Sequence, residues 1–452
     1  MIGRMRVAQL PYRADSADLF EAIAWEPWAV YLDSGRPHAL GGRWDILAAR
    51  PYATLVTRGA VTEIRTRTSV RSESGDPLNI LRSQLGAVES HSGTVPFAGG
   101  AIGYFAYDLA RTLGDLPASS RAGPPEMAVG LYDWAVVIDH ETHVAQLVSA
   151  ERDTQTGCDW DRLVEAFSHP PEATPGRFTT RSAPLSNLTR AGYGAAFESI
   201  KRYIAAGDCY QINLTQRYTA QVGGSRWALY RALRQLNPAP FSAYLNHPEV
   251  QVLSTSPERF IELRGNRVTT RPIKGTRPRD PDPQCDRALA KALAESDKDR
   301  AENLMIVDLL RNDLGKVCQT GSVAVPDLFA VESFAQVHHL VSTVSGRLRP
   351  NSDAIDLLRA TFPGGSITGA PKRRAMAIID EMEPDPRGLY CGAIGYIGGN
   401  GDMDTNIAIR TLVSEGKTVS FGVGGGIVAD SEVDSEYQEC LDKAAPLLRV
   451  LG

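Results

Sequence analysis

Apolar residues recur along the chain with two periods. After Thr189, a side chain suited to capping a helix, Tyr193, Phe197, Ile200 and Ile204 follow at helical spacing until Gly207. Immediately beyond, Tyr210, Ile212 and Leu214 alternate with Gln211, Asn213 and Thr215, the period of a half-buried strand. Strand-like runs cover about Gln251–Leu263 and Val268–Ile273, and a second helix is predicted from about Lys298 to Asn312. Before residue 168, runs such as Met127–Asp139 are rich in β-branched and aromatic residues and punctuated by Gly and Pro, which predicts strands. No βαβ alternation and no repeat is visible, so the expected class is α+β with antiparallel strands. Residues 168–188, beginning SHPPEATPGRFTTRSAPLSN, are poor in large aliphatics and read as an exposed connector. It divides a strand-rich region, 1–167, from a mixed region, 189–452.

Composition narrows the class. With 452 residues, 43% hydrophobic and 22% charged, the chain can bury a large core. Its 48 Lys and Arg against 53 Asp and Glu leave a formal charge of -5, and no run of five basic residues marks a nucleic-acid or anionic-lipid surface. No stretch reaches the roughly 18 apolar residues of a membrane span, and the N-terminal MIGRMRVAQLPYRAD has no apolar leader core, so a cytoplasmic protein is expected. Its six cysteines lie far apart without a Cys-x-x-Cys, which disfavours a zinc site or a disulfide scaffold and predicts buried reduced thiols. A small molecule or another protein is the expected partner.

Several side chains could carry chemistry. Glu436 and Glu439 share a helix face in DSEYQECLDKA, with Lys443 one turn beyond, and Glu302 begins the amphipathic DRAENLMIVDLLRND. Carboxylates from separate helices can hold Mg²⁺, although Glu pairs at this spacing ordinarily form solvated faces. Glu258 follows Ser-Pro in SPERF. The glycine-rich runs at 363–371 and 422–428 permit close approach to an anion, or simply tight turns and close strand packing; neither is a P-loop or a dinucleotide fingerprint. Lys274, in RPIKGT, is ordinarily a solvated charge; a nucleophilic role would need burial or a nearby cation to lower its pKa from about 10.4. His339 suits a core histidine or an acid/base, and Arg410 an exposed strand end or a carboxylate clamp.

Taken together, GDCYQINLTQR (207–217), SPERF (256–260), RPIKGT (271–276), DRAENLMIVDLLRNDLG (299–315), FPGGSITGAPK (362–372), DMDTNIAIRT (402–411) and GGGIVADS (424–431) closely resemble the chorismate-utilising enzymes. GGAIGYFAYDLAR (99–111) and VGLYDWAVVIDH (129–140) match more loosely. The resemblance implies one large interleaved α+β unit, two facing antiparallel sheets covered by helices, in which 168–188 is a surface crossover. Position 274 marks the branch: members that form anthranilate or isochorismate carry a small Ala there, whereas Lys marks the branch that aminates C4. The implied product is 4-amino-4-deoxychorismate, a precursor of p-aminobenzoate and folate, made by an aminotransferring synthase of the transaminase class. By resemblance Lys274 attacks ring C2 and expels the C4 hydroxyl, Glu258 is the general acid, and ammonia then displaces the lysine at C4. Glu302 and Glu439 correspond to Mg²⁺ ligands, with Glu436 acting through water. Gly424, Gly425, Gly426 and Lys443 correspond to contacts with the ring carboxylate, Tyr390 and Arg410 to contacts with the enolpyruvyl carboxylate, and His339 to a ring-facing histidine.

The resemblance also implies an N-terminal tryptophan pocket built from Ser34, Arg43, Trp44, Asp45, Pro240 and Phe241. Gly41 and Gly42 depart from it, standing where an aromatic residue and a Ser are expected. No nucleophilic Cys in a glycine-rich elbow is present, so ammonia is expected from a glutamine amidotransferase subunit or from solution. Two other readings stay open. They are a C2-aminating or water-using member of the family, as in anthranilate or isochorismate synthases, and a non-catalytic chorismate or tryptophan sensor, which would be expected to lack Glu258, Lys274 or a metal ligand.

Overall fold

Two antiparallel sheets each take strands from both halves of the chain. The computed structural model describes residues 5–39, 41–88, 95–117, 123–172, 176–334 and 337–452. In the first sheet the order is Arg6–Leu10, Val144–Ser149, Trp134–Asp139, Trp44–Ala48, Ala29–Asp33, Phe241–Asn246, Gln251–Ser256, Thr411–Glu415, Thr418–Ile427, Gln211–Gly224 and Phe178–Thr180. In the second it is Ile273–Pro278, Val337–Arg347, Arg267–Thr270, Arg259–Arg264, Met403–Ile407, Ala393–Gly398, Gly100–Phe105, Met127–Tyr132, Ala53–Arg58, Val61–Thr66 and Val70–Ser74. The halves meet once in each sheet, Ala29–Asp33 on Phe241–Asn246 and Gly100–Phe105 on Ala393–Gly398.

This arrangement explains the continuous hydrophobic strands. Trp134–Asp139 is buried throughout because its alternate side chains serve two layers. Trp134, Val136 and Ile138 pack under the helices that contribute Phe20, Trp160 and Trp227, whereas Ala135 and Val137 join Tyr104, Ile394 and Leu245 between the sheets. The long apolar runs also hide two crossings. Met127–Asp139 breaks at Asp133, and Gln251–Leu263 breaks at Pro257–Glu258, each passing from one sheet to the other. The polar side of the alternation at 210–215 does not face solvent as its period predicts: Gln211, Asn213 and Thr215 are buried, and Tyr210 is the exposed residue.

The predicted helices form at Arg190–Ala205, where Thr189 accepts from the Gly192 amide, and at Asp297–Gly315, capped by Ser296. A third, Val433–Val450, carries Glu436, Glu439 and Lys443. Within 168–188, Phe178–Thr180 and Leu185–Ser186 pair with Gln211–Gly224, while 173–175 lie outside the described residues. All six cysteines are free; Cys209, Cys318, Cys391 and Cys440 are buried, but Cys158 and Cys285 are exposed on helices.

Candidate active site

A break in strand register sets the position of Lys274. Ile273 pairs with Val341 and Thr276 with His339, so the intervening Lys274 and Gly275 form a bulge that re-aims the lysine. Gly275 has φ +84°, and a Cβ there would lie 2.9 Å from Asp299 and Leu293, so the bulge requires glycine. The Lys274 ammonium donates to the Ser366 carbonyl at 3.3 Å. Burial holds its pKa below the ordinary lysine value, helped by Lys443, against the attraction of Glu302, Glu258 and Glu439.

Glu258 occupies the second sheet crossing and is buried. Burial pushes its carboxyl above the ordinary glutamate value, although Lys274, the Ser366 hydroxyl and the Ile273 amide oppose this. Ser366 links the two groups, since its hydroxyl donates to Glu258 Oε1 at 2.9 Å while its carbonyl accepts from Lys274. Asn213 holds the same carbonyl at 3.2 Å, and Arg387 holds the neighbouring Ile367 carbonyl at 2.9 Å. Ser366 lies in the FPGGSITGAPK string, but its partner stands 108 positions away, and no periodicity reports such a contact.

Two helices bring three carboxylates toward the glycine-rich strand Thr418–Ile427. Glu436 is buried and accepts from Ser431 at 2.7 Å. Burial acts to raise Glu439, but Lys443 at 2.6 Å, with Lys274 and Lys298, holds it below the usual glutamate value. Burial pushes Glu302 up, and Glu436 and Glu439 add to that, against Lys274 and Lys298. Lys298 lies 3.9 Å from Glu302 Oε1 and 3.8 Å from Glu436 Oε1. A Cβ on Gly425 would stand 3.2 Å from Glu436 Oε2 and 3.9 Å from Glu439 Oε1, so the bare glycine leaves a cradle beneath these oxygens. Among the described residues no three His, Cys, Asp or Glu side chains close on one point. An open carboxylate set of this kind fits Mg²⁺, which keeps waters and takes anionic substrate oxygens. Gly424, Gly425 and Gly426 pair with Thr215, Leu214 and Asn213 on one edge, and Lys443 donates to the Gly424 carbonyl at 3.1 Å. The neighbouring strand pairs only with residues 418–420, so among the described residues the other edge beyond them has no strand partner.

The remaining site residues are polar groups held in a buried setting. Arg410 has φ +49° and donates to Asn237 at 3.1 Å; burial lowers its pKa, and no carboxylate pairs with it among the described residues. Its charge also reaches His339, which burial pushes down to about 4, leaving a neutral ring hydrogen-bonded to Thr276 at 2.9 Å. The Tyr390 ring fills the space above Gly422, where a Cβ would meet it at 2.4 Å.

The N-terminal residues form a separate cavity of about 220 Å³ between the sheets, lined by Ser34, Arg43, Trp44, Pro240 and Phe241 among others. Asp45 does not line it. This carboxylate is wholly buried behind the cavity wall, accepting from the Ser34 amide at 2.6 Å and meeting His140 at 2.7 Å and the Ser16 hydroxyl. Gly42 packs so closely on Ser34 that a Cβ would lie 2.3 Å from its carbonyl oxygen, which gives the departure at this position a steric basis. Gly41 has φ +93°.

The chain belongs to the chorismate binding enzyme family, which it matches over residues 30–449. It is 49% identical over 448 residues to aminodeoxychorismate synthase component 1 of Klebsiella aerogenes, and 47% identical over 451 residues to that of Escherichia coli strain K12, covering 98% of both chains in each case. Anthranilate synthase component 1 of Streptomyces coelicolor is 42% identical over 394 residues, 83% of this chain and 77% of that one. The crystal structure of anthranilate synthase component I from Streptococcus pneumoniae superposes with a TM-score of 0.79 at 33% identity, over 91% of this chain and 93% of the other. The Escherichia coli isochorismate synthase MenF shares the fold, with a TM-score of 0.72 at 20% identity over 100% and 95% of the two chains. Among the described residues no helix is long and apolar enough to cross a membrane.

Proposed function

We propose that this chain aminates chorismate at C4, joining chorismate and ammonia into 4-amino-4-deoxychorismate, the reaction named for its component 1 relatives. The observation that carries this reading is Lys274. It is a bulged, desolvated amine next to a buried carboxyl that also favours its neutral form. Neutral Lys274 attacks C2 of chorismate; both conjugated ring double bonds shift, C1=C2 and C5=C6 becoming C1=C6 and C4=C5, and the C4–O bond breaks, with Glu258 donating the proton that makes the hydroxyl leave as water. Ammonia then attacks C4, both double bonds shift back, the C2–N bond breaks to release neutral lysine, and the new C4 ammonium returns a proton to Glu258. The enolpyruvyl group is untouched, so the product retains it. Water-using and C2-aminating relatives need an unobstructed approach to C2, which Lys274 occupies.

Glu302 and Glu439 are the proposed Mg²⁺ ligands, with Glu436 behind them through water. When bound, Mg²⁺ supplies positive charge to the ring carboxylate of chorismate. The chain's own groups orient the substrate: Lys443 and the Gly424–Gly426 edge face the ring carboxylate, Arg410 and Tyr390 the enolpyruvyl carboxylate, and neutral His339 the ring. Ammonia is proposed to come from a glutamine amidotransferase partner, as the name component 1 suggests for the relatives. Tryptophan is the proposed occupant of the N-terminal cavity, with Asp45 acting only through Ser34. Intact-mass analysis after incubation with chorismate and Mg²⁺ tests the nucleophile: a Lys274→Ala variant is expected to lose the covalent adduct, and an adduct of unchanged yield would refute the assignment.

A further inference from the structure

Lys298 has no role in the reaction as described, yet its ammonium reaches two of the three carboxylates from different helices. It is 3.9 Å from Glu302, one turn along its own helix, and 3.8 Å from Glu436 on Val433–Val450. Lys443 differs from it: that lysine is fixed by Glu439 at 2.6 Å and by the Gly424 carbonyl at 3.1 Å. At its distances Lys298 makes no hydrogen bond to either carboxylate, and its side chain is 56% exposed, so it can swing into solvent at small cost.

We propose that Lys298 is a stand-in cation, which neutralises Glu302 and Glu436 in the metal-free protein and is displaced when Mg²⁺ enters. This rests on the Mg²⁺ assignment given above. A divalent ion bound to Glu302 at about 2.1 Å would sit within about 6 Å of an unmoved ammonium, and the two positive charges repel. Metal entry therefore breaks two ion pairs and expels the lysine. Lys298 in this way weakens Mg²⁺ binding to the free protein, so that filling of the site depends more on the arrival of the substrate carboxylate.

Direct Mn²⁺ titration of the full-length protein without chorismate, followed by electron paramagnetic resonance, tests this. Lys298→Met and Lys298→Gln, which keep much of the stem and remove the charge at an exposed position, are expected to bind Mn²⁺ about 10-fold more tightly than the wild type. Lys298→Arg is expected to stay within about twofold of it. Unchanged or weaker binding in both neutral variants would overturn the inference, and so would an absence of Mn²⁺ binding in the wild type and both neutral variants alike. Product identity, read by mass in the same variants, tests the C4-amination reading separately, because position 298 does not select the carbon attacked.

Discussion

Lys274 and Glu258 would attract one another as ions, yet burial shifts each toward its uncharged form. The chemistry requires those forms, an amine that can attack and an acid that can donate. Their folded pKa values therefore lie closer together than the ordinary 10.5 and 4.5. The product of neutral-lysine and protonated-glutamate fractions falls on both sides of that interval whichever proton leaves first. A plot of log kcat/KM against pH is expected to be bell-shaped, with its two limbs separated by less than those ordinary values; limbs at the unshifted values would contradict the desolvated pair. At this scale the sequence identifies residue types and family strings, but not the contacts that join them. Ser366, which ties acid to nucleophile, and Lys298, which spans two helices, stand out only when distant segments meet. Asp45 shows the converse: the string implies a pocket residue, but its side chain is absent from the cavity lining and turns toward Ser16 and His140.

Elements deliver these groups through exceptions to regular structure. Lys274 points inward because a bulge at Gly275 breaks the ladder, and Glu258 is interior because the chain changes sheet at Pro257. The helices were legible from their 3.6-residue period and caps, as Thr189 shows. The sheet changes at Asp133 and Pro257 were not, since a strand buried on both faces stays hydrophobic on either side of a crossing. The alternation at 210–215 has the period of a half-exposed strand because polar residues on one face resemble a solvated face, yet Gln211, Asn213 and Thr215 are buried. Gly425 belongs to this scale too. A methyl group there would meet Glu436 Oε2 at 3.2 Å, tighter than an ordinary contact. Gly425→Ala is expected to raise the Mg²⁺ concentration giving half-maximal rate by about 10-fold with little change in melting temperature; an unchanged Mg²⁺ requirement would show that the cradle does not shape the site.

Over the whole molecule, both sheets need strands from both halves, so the site rests on a scaffold that 1–167 and 189–452 build jointly. The composition of 168–188 marked where the sequence changes character, whereas the interleaving follows from pairings more than 200 residues apart, such as Leu32 with Ala243. That shared interior fixes a pH dependence of stability. His247, packed between the rings of Trp28 and Tyr104, is fully buried, and desolvation pushes it down to about 3. Because its folded pKa is depressed, the unfolded chain takes up a proton that the folded chain refuses, so stability is lost as pH falls from the ordinary histidine value near 6.5 toward 3. His247→Phe is expected to reduce the loss of melting temperature between pH 7 and pH 4, and an identical loss would place the acid sensitivity elsewhere.

The central claim concerns which carbon of chorismate receives nitrogen. Purified protein with chorismate, Mg²⁺ and ammonium at mildly alkaline pH, resolved by chromatography and identified by mass, is expected to yield 4-amino-4-deoxychorismate with its enolpyruvyl group retained. Formation of anthranilate or isochorismate instead would mean that Lys274 does not direct the reaction, and would contradict this account.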